Sequence, residues 1–410
     1  MTDTITPMTN NAVERWIPCE EDGSGHSFGD EELALVTEVL RSGVLISSDA
    51  GFTRRFELEI ADRYGVGDAI ACSSGTTALQ GALAVLGLEA GSEVVTTPLS
   101  DIGGVSPILQ EGLVPVFADV DPVTGNIDPE SVERAISPRT SAILITHLVG
   151  KPCDMTRLMQ IAEKHGLAVV EDCAQAYDAR HAGRFVGTFG AIGTFSTQQT
   201  KHISAGEGGL AITDDPELAR RLRSWVNKGV AARTRSRSAD HPILGMNARM
   251  SEVQAAIAVA QLGKLDASIE IRISHADLLS EQLAGVEGVI CPSNSAGEVQ
   301  TYWKYLLSVD PEVLPGVRDP MADEFSRRRA VVVPCYLHLP LFEKTLFQRY
   351  PRRLVGQDAI GYADKARDDT VHFPGMNGFI ERAIVVWWNE RITVSDVDRI
   401  AELVRLTVVR

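Results

Sequence analysis

No two of the six cysteines stand close enough to form a CxxC pair; they are Cys19, Cys72, Cys153, Cys173, Cys291 and Cys335. That spacing excludes the usual zinc and dithiol redox motifs, and dispersed thiols suit a reducing cytosol. The nine histidines include no HExxH and no clustered ligand pattern, so no metal is expected. Basic charge is also short: 39 Lys and Arg stand against 55 Asp and Glu, a formal net charge of −16. General nucleic-acid or membrane-surface binding wants a basic face, so neither partner is expected. No apolar run reaches membrane-spanning length, and residues 1–16 lack the apolar core of a signal peptide. The expected location is cytoplasmic.

What the chain does have is alternation. Its 410 residues leave room for two or three domains, and 44% hydrophobic content supports a substantial core. Apolar runs at residues 69–72, 93–97, 114–120, 142–146 and 167–171 read as strands. Residues 29–41, 52–64, 78–86, 129–135 and 155–165 read as helices, the first with Leu33, Val36 and Leu40 at helical spacing. Such alternation means βαβ units and a mainly parallel sheet between helices. After residue 262 the pattern changes to a long helix reaching 283, a strand-like TYWKYLLSV at 301–309, a helix at 320–328 and a final helix at 394–404. The expected architecture is α/β: a large domain over residues 1–262, with a loose N-terminal arm, and a smaller α+β domain over 263–410.

Three stretches carry chemistry. In AIACSSGTTALQGALAVLGL, residues 69–88, a strand enters a small-residue turn that opens a helix. Free N–H groups and the helix dipole there suit an anion, with Ser74, Gly75, Thr76 and Thr77 as phosphate candidates. The same residues suit an ordinary N-cap, worth about 1 kcal/mol. Next, the strand at 167–170 runs into EDCAQA, residues 171–176, and places Asp172 where open α/β sheets bind ligands. A strand-end aspartate also caps turns. Last, FSTQQTKHISAGEGG, residues 195–209, sets Lys201 among hydroxyls and glycines, which suits a lysine carrying an aldehyde cofactor as well as one in a polar loop.

Taken together and in order, these stretches make the chain resemble the fold-type-I pyridoxal phosphate (PLP) enzymes, and within them the DegT/DnrJ/EryC1/StrS sugar aminotransferases. SSGTTAL, HLVGKPCDM, EDCAQA, FSTQQTKHISAGEGG, VNKG and GMNARMSEVQAAIAVAQL carry the resemblance, from about residue 28 to the C-terminus. It implies that Lys201 bears the cofactor and shuttles the proton, and that Asp172 pairs with the pyridine nitrogen. Gln175 would lie near the phenolic oxygen. Ser74, Gly75, Thr76 and Ser196 would hold the phosphate. Asn227 would reach it from a neighbouring subunit, giving a homodimer with shared active sites. The implied reaction moves an amino group from glutamate or glutamine, by way of pyridoxamine phosphate, to a keto-sugar nucleotide or a keto-cyclitol in amino-sugar, aminocyclitol or natural-product biosynthesis.

Two departures matter. The segment TTPLSDIGG has Asp101 where the family usually stacks an aromatic residue on the ring, so Asp101 becomes a substrate candidate. Ala248 stands where the family usually has a Tyr-like residue. Arg233, in a basic loop spanning 228–241, suits a substrate phosphate or a solvated face. Tyr336 and His338 are further candidates for the pocket mouth. Two other readings exist: a sugar dehydratase of the same family, whose members replace the lysine by histidine, and a PLP-binding regulator, which needs a DNA-binding appendage. Lys201 and the acidic balance count against them.

Overall fold

The computed structural model describes residues 16–230, 240–330, 340–346 and 373–409. In chain order the strands are β1 (Asp68–Cys72), β2 (Glu93–Thr96), β3 (Val114–Phe117), β4 (Thr140–Thr146), β5 (Ala168–Asp172), β6 (Arg180–His181), β7 (Arg184–Phe185), β8 (Ile192–Ser196), β9 (Gly209–Thr213), β10 (Val289–Ile290), β11 (Lys304–Val309) and β12 (Ala383–Trp387). Seven form the main sheet, in the order β1-β9-β8-β5-β4-β2-β3. Within it β3, β2, β4, β5 and β8 are parallel, while β9 pairs antiparallel with both β8 and β1. Buried Val, Ile and Leu fill these strands, as a sheet covered on both faces requires.

The crossover helices end as local chemistry dictates. Helix α1 (Asp30–Ser42) starts with three acids in its first turn, and the Glu32 carboxylate accepts the Gly29 N–H at 2.7 Å. It stops at Gly43, whose φ of 70° few other residues tolerate. The next helix, α2 (Phe52–Tyr64), ends the same way at Gly65. In α3 (Gly75–Leu86) the N-cap Ser74 and Thr77 exchange side-chain and backbone bonds in a capping box. This helix therefore starts three residues earlier than the periodicity predicts, and the small-residue turn shrinks to Ser73 and Ser74. Glycine and threonine are poor helix formers, and the cap outweighs their propensity.

The apolar stripe of α1 does not face the core: Leu33 and Leu40 are 65% and 61% exposed, and Glu32 and Val39 are buried instead. Glu32 accepts from Gln261 Nε2 at 2.7 Å and Lys264 Nζ at 2.8 Å, so a buried polar contact seats the helix. The spacing was right for one helix face and silent about what that face meets.

The smaller sheet, β10-β11-β12, is antiparallel. Its core joins Tyr305, Leu307, Val386 and Trp388 with residues of the helices Leu265–Leu283, Arg318–Arg327 and Val394–Val408. Ile17 and Cys19, from the first described stretch, are buried in that same cluster. Among the described residues no helix is long and apolar enough to cross a membrane.

Candidate active site

The C-terminal ends of β1, β2, β5 and β8 converge. This follows from the parallel run of the sheet, which brings every such end, with its loop, to one edge. A cavity of about 430 Å³ lies there, lined by Ser74, Gly75, Thr76, Ser100, Asp101, Asp172, Gln175, Ser196, Lys201, Trp303 and Lys304, among others.

The turn after β1 supplies backbone donors. Ser74 Oγ accepts the Thr77 N–H at 3.1 Å and Thr77 Oγ1 accepts the Ser74 N–H at 2.9 Å, so these two hydroxyls serve the helix. The Gly75 and Thr76 N–H groups have no acceptor among the described residues, at the positive end of α3. Ser196 closes over them: a Cβ on Gly75 would sit 2.7 Å from the Ser196 Cβ, so glycine is what lets the two backbones approach. The side chains of Ser74 and Thr77 do the capping, which leaves the Gly75 and Thr76 N–H groups outside the cap.

Asp172 ends β5 almost wholly buried. Its Oδ1 accepts the Ala174 N–H at 3.0 Å. Burial raises its carboxyl above the ordinary range, while the Ala174 N–H, Lys201 and His147 oppose that rise. Behind it, His147 Nδ1 accepts the Cys153 N–H at 3.1 Å and Nε2 donates to Glu171 at 3.2 Å. Glu171 also accepts the Gly187 and Gly190 N–H groups at 2.7 Å each. His147, Glu171 and Cys173 are close enough to hold an ion, but these hydrogen bonds occupy both imidazole nitrogens and both carboxylate oxygens. The histidine of HLVGKPCDM and the glutamate of EDCAQA thereby lock the ends of β4 and β5 together. Gln175 Oε1 accepts the Val149 N–H at 2.8 Å, holding that side chain at the cavity wall.

Lys201 lies on the loop after β8. Burial first, and then the Lys304 ammonium, push its amine down to about 8, against Asp172, Asp101 and Glu20. Its Nζ lies 4.0 Å from the centre of the Trp303 ring. Asp101 caps a short turn by accepting the Gly103 N–H at 2.8 Å and lines the cavity. Ala248 is buried, and its carbonyl accepts the Ser73 N–H at 2.7 Å, bracing the turn.

Asn227 does not line this cavity; it follows the helix Pro216–Trp225 and accepts from Arg249 Nη1. Arg233, Tyr336 and His338 lie outside the described residues. Sequence reasoning passed over Trp303, Lys304 and Glu20. A signal existed for Lys304, the one charged residue of a mostly apolar strand; EED, which holds Glu20, reads as solvated turn.

The DegT/DnrJ/EryC1/StrS aminotransferase family matches the chain over residues 26–385. The L-glutamine:2-deoxy-scyllo-inosose aminotransferase of Streptomyces kanamyceticus is 39% identical over 326 residues, 77% of this chain and 74% of that protein. The GDP-perosamine synthase of Escherichia coli O157:H7 is 34% identical over 79% of this chain and 87% of its own. Among solved structures, the aminotransferase TlmJ from Streptoalloteichus hindustanus superposes with a TM-score of 0.81 at 29% identity, covering 93% of this chain and 97% of that one.

Proposed function

This chain belongs to the DegT/DnrJ/EryC1/StrS aminotransferase family, and we propose that it uses PLP to move an amino group from glutamine or glutamate to the keto group of a cyclitol or sugar. One observation carries the assignment of roles: Lys201, Asp172 and the backbone donors at Gly75 and Thr76 line a single cavity. These residues fit the cofactor. The Gly75–Ser196 approach makes a cradle that a Cβ would fill, and the buried Asp172 suits a ring nitrogen that must stay protonated. When bound, PLP supplies an electron sink for the pair left behind as the substrate's α-proton departs.

The chain's own residues do the rest. The Gly75 and Thr76 N–H groups and Ser196 bind the phosphate. Asp172 holds a proton at the pyridine nitrogen. Gln175 bounds the ring's oxygen-bearing edge. Lys201 Nζ would take the proton from the donor's α-carbon and deliver it to the cofactor's aldehyde carbon, and the removal requires the amine to be unprotonated. Trp303 lies against the lysine amine and shields one side of it.

A homodimer completes the reading. Exposed Leu33 and Leu40 share a face of α1, and exposed Val44, Leu45 and Ile46 follow it, an apolar run that a second copy would cover. Asn227, which does not line its own chain's cavity, is the residue that would reach the partner's site in such a dimer. The dispersed, mostly buried cysteines support a cytoplasmic setting.

The test is a half-reaction screen. Protein loaded with pyridoxamine phosphate is mixed with keto-cyclitols and keto-sugar nucleotides, and return of the PLP absorbance is followed. Return with either class supports the proposal. No return with any ketone, in protein that glutamine or glutamate converts, would reject the acceptor class.

A further inference from the structure

Strand β11 is apolar apart from Lys304 at its start and Ser308, and Lys304 is fully buried. Burying an ammonium is costly unless it is paired. Its Nζ donates to Glu20 Oε1 at 2.9 Å and lies 4.6 Å from the centre of the Trp303 ring and 4.4 Å from that of Trp387. Glu20 comes from the other end of the chain, in the short turn Glu20–Asp22, and is fully buried too. Among the described residues a second cation, Arg272, stands 3.7 Å from Glu20 but is committed to Glu390 at 2.9 Å and to the Trp388 carbonyl at 2.6 Å. The segment bearing Glu20 is fastened to the lysine loop on both sides: Gln199 Nε2 donates to the Glu20 carbonyl at 3.1 Å, and the Gln199 carbonyl meets His26 Nε2. Trp303, which Lys304 touches, is also the ring against Lys201.

We propose that Lys304 is a positioning residue for Lys201: with Glu20 it forms a fixed charge pair, brought in by the N-terminal segment, that sets how readily the Lys201 amine gives up its proton. The proposal rests on the reading of Lys201 as the cofactor lysine. Several groups face that amine. Lys304 opposes its charge, while Asp172, Asp101 and Glu20 favour it. Glu21 and Glu207 line the same cavity, and His202, next along the chain, is held neutral by burial. Within this set Lys304 and Glu20 are bonded to each other and opposite in sign. Removing one member or the other must therefore move Lys201 in opposite directions. A pair that only braced the fold would suffer alike from either loss.

The experiment follows PLP capture by the unloaded protein across a pH series, by absorbance. Borohydride trapping and peptide mapping locate the label. In capture the Nζ lone pair bonds to the aldehyde carbon and the aldehyde oxygen leaves as water, so only the unprotonated amine reacts. The inflection of rate against pH thus reports Lys201. Lys304→Met should raise it by roughly half a unit or more, and Glu20→Gln should lower it by a similar amount. Lys304→Arg should restore it. The double variant Glu20→Gln/Lys304→Met leaves no unpaired member of the pair and should fall between the two; if Lys304→Met does not fold, Glu20→Gln and the double variant carry the comparison. Shifts of one sign, or none, overturn the proposal and leave the Lys201 reading intact. A label on another lysine overturns that reading instead.

Discussion

Lys201 Nζ lies 4.0 Å from the centre of the Trp303 indole, and the same indole donates its Nε1–H to the carbonyl of Thr200 at 2.6 Å. One side chain thus fixes the loop and covers the amine it carries. Trp303→Phe keeps a ring but loses the hydrogen bond, worth about 1 kcal/mol, so turnover should fall roughly fivefold. Trp303→Ala also loses the ring and the shielding from water, and should fall further. Steady-state rates of the two variants check the order; equal rates would remove the hydrogen bond from the account.

The low value of Lys201 has a consequence for stability. Burial pushes the amine down to about 8 from the ordinary 10.5. Between those values the unfolded chain binds more protons at this site than the folded chain, so the group's contribution to stability rises with pH across that window. Below it both states are protonated and the cost of partly desolvating that charge is present in full. Unloaded Lys201→Met should therefore be more stable than the parent at about pH 7, with the gap closing by about pH 10. Urea midpoints at both pH values measure this, and a gap that widens with pH would contradict the assigned burial.

Asp172 should separate stability from activity. Its carboxyl is raised by burial, the sign of a charge that costs the fold something. Asp172→Asn keeps an oxygen for the Ala174 N–H and removes the charge. The unloaded variant should melt no lower than the parent, while turnover falls by more than about 2 kcal/mol of barrier, roughly thirtyfold. Near-parental turnover with PLP bound would refute the electron-sink role.

Gly75 tests the phosphate cradle. A Cβ there would meet the Ser196 Cβ at 2.7 Å, and the backbone has no positive φ to object to alanine. Gly75→Ala should push Ser196 away from the turn, costing about 1–3 kcal/mol as overpacking does. PLP affinity should fall tenfold or more, read by titration. Unchanged affinity would place the phosphate elsewhere.

The α1 face tests the dimer. Leu40→Glu puts a charge on exposed apolar surface, which leaves a monomer's core untouched but burdens an interface. Sedimentation should show dissociation at concentrations where the parent stays dimeric. Asn227→Ala should leave the dimer but weaken PLP binding about tenfold, one charge-assisted hydrogen bond. Full PLP affinity in an Asn227→Ala dimer would remove the cross-subunit contact.

By itself the sequence determined many of the elements and the order of the candidate stretches, but it did not show the strands β8, β9 and β12. Short apolar runs between turn residues are local signals, so the helices Phe52–Tyr64, Pro129–Ala135 and Met155–His165 could be read to the residue. The turn after β1, Asp172 and Lys201 come to one cavity because β1, β5 and β8 run in the same direction and end at one edge of the sheet. Tertiary structure alone decided what each face meets. Leu33 and Leu40 have perfect helical spacing, yet Glu32 is what α1 buries, because Gln261 and Lys264 wait for it more than 200 residues away. Glu20 and Lys304 are 284 positions apart and meet in a 2.9 Å bond, with Lys304 against the same Trp303 ring as Lys201. Periodicity reports the neighbours a residue has along the chain, and a charge pair across the fold has no period; only folding brings the two charges together and makes their burial tolerable.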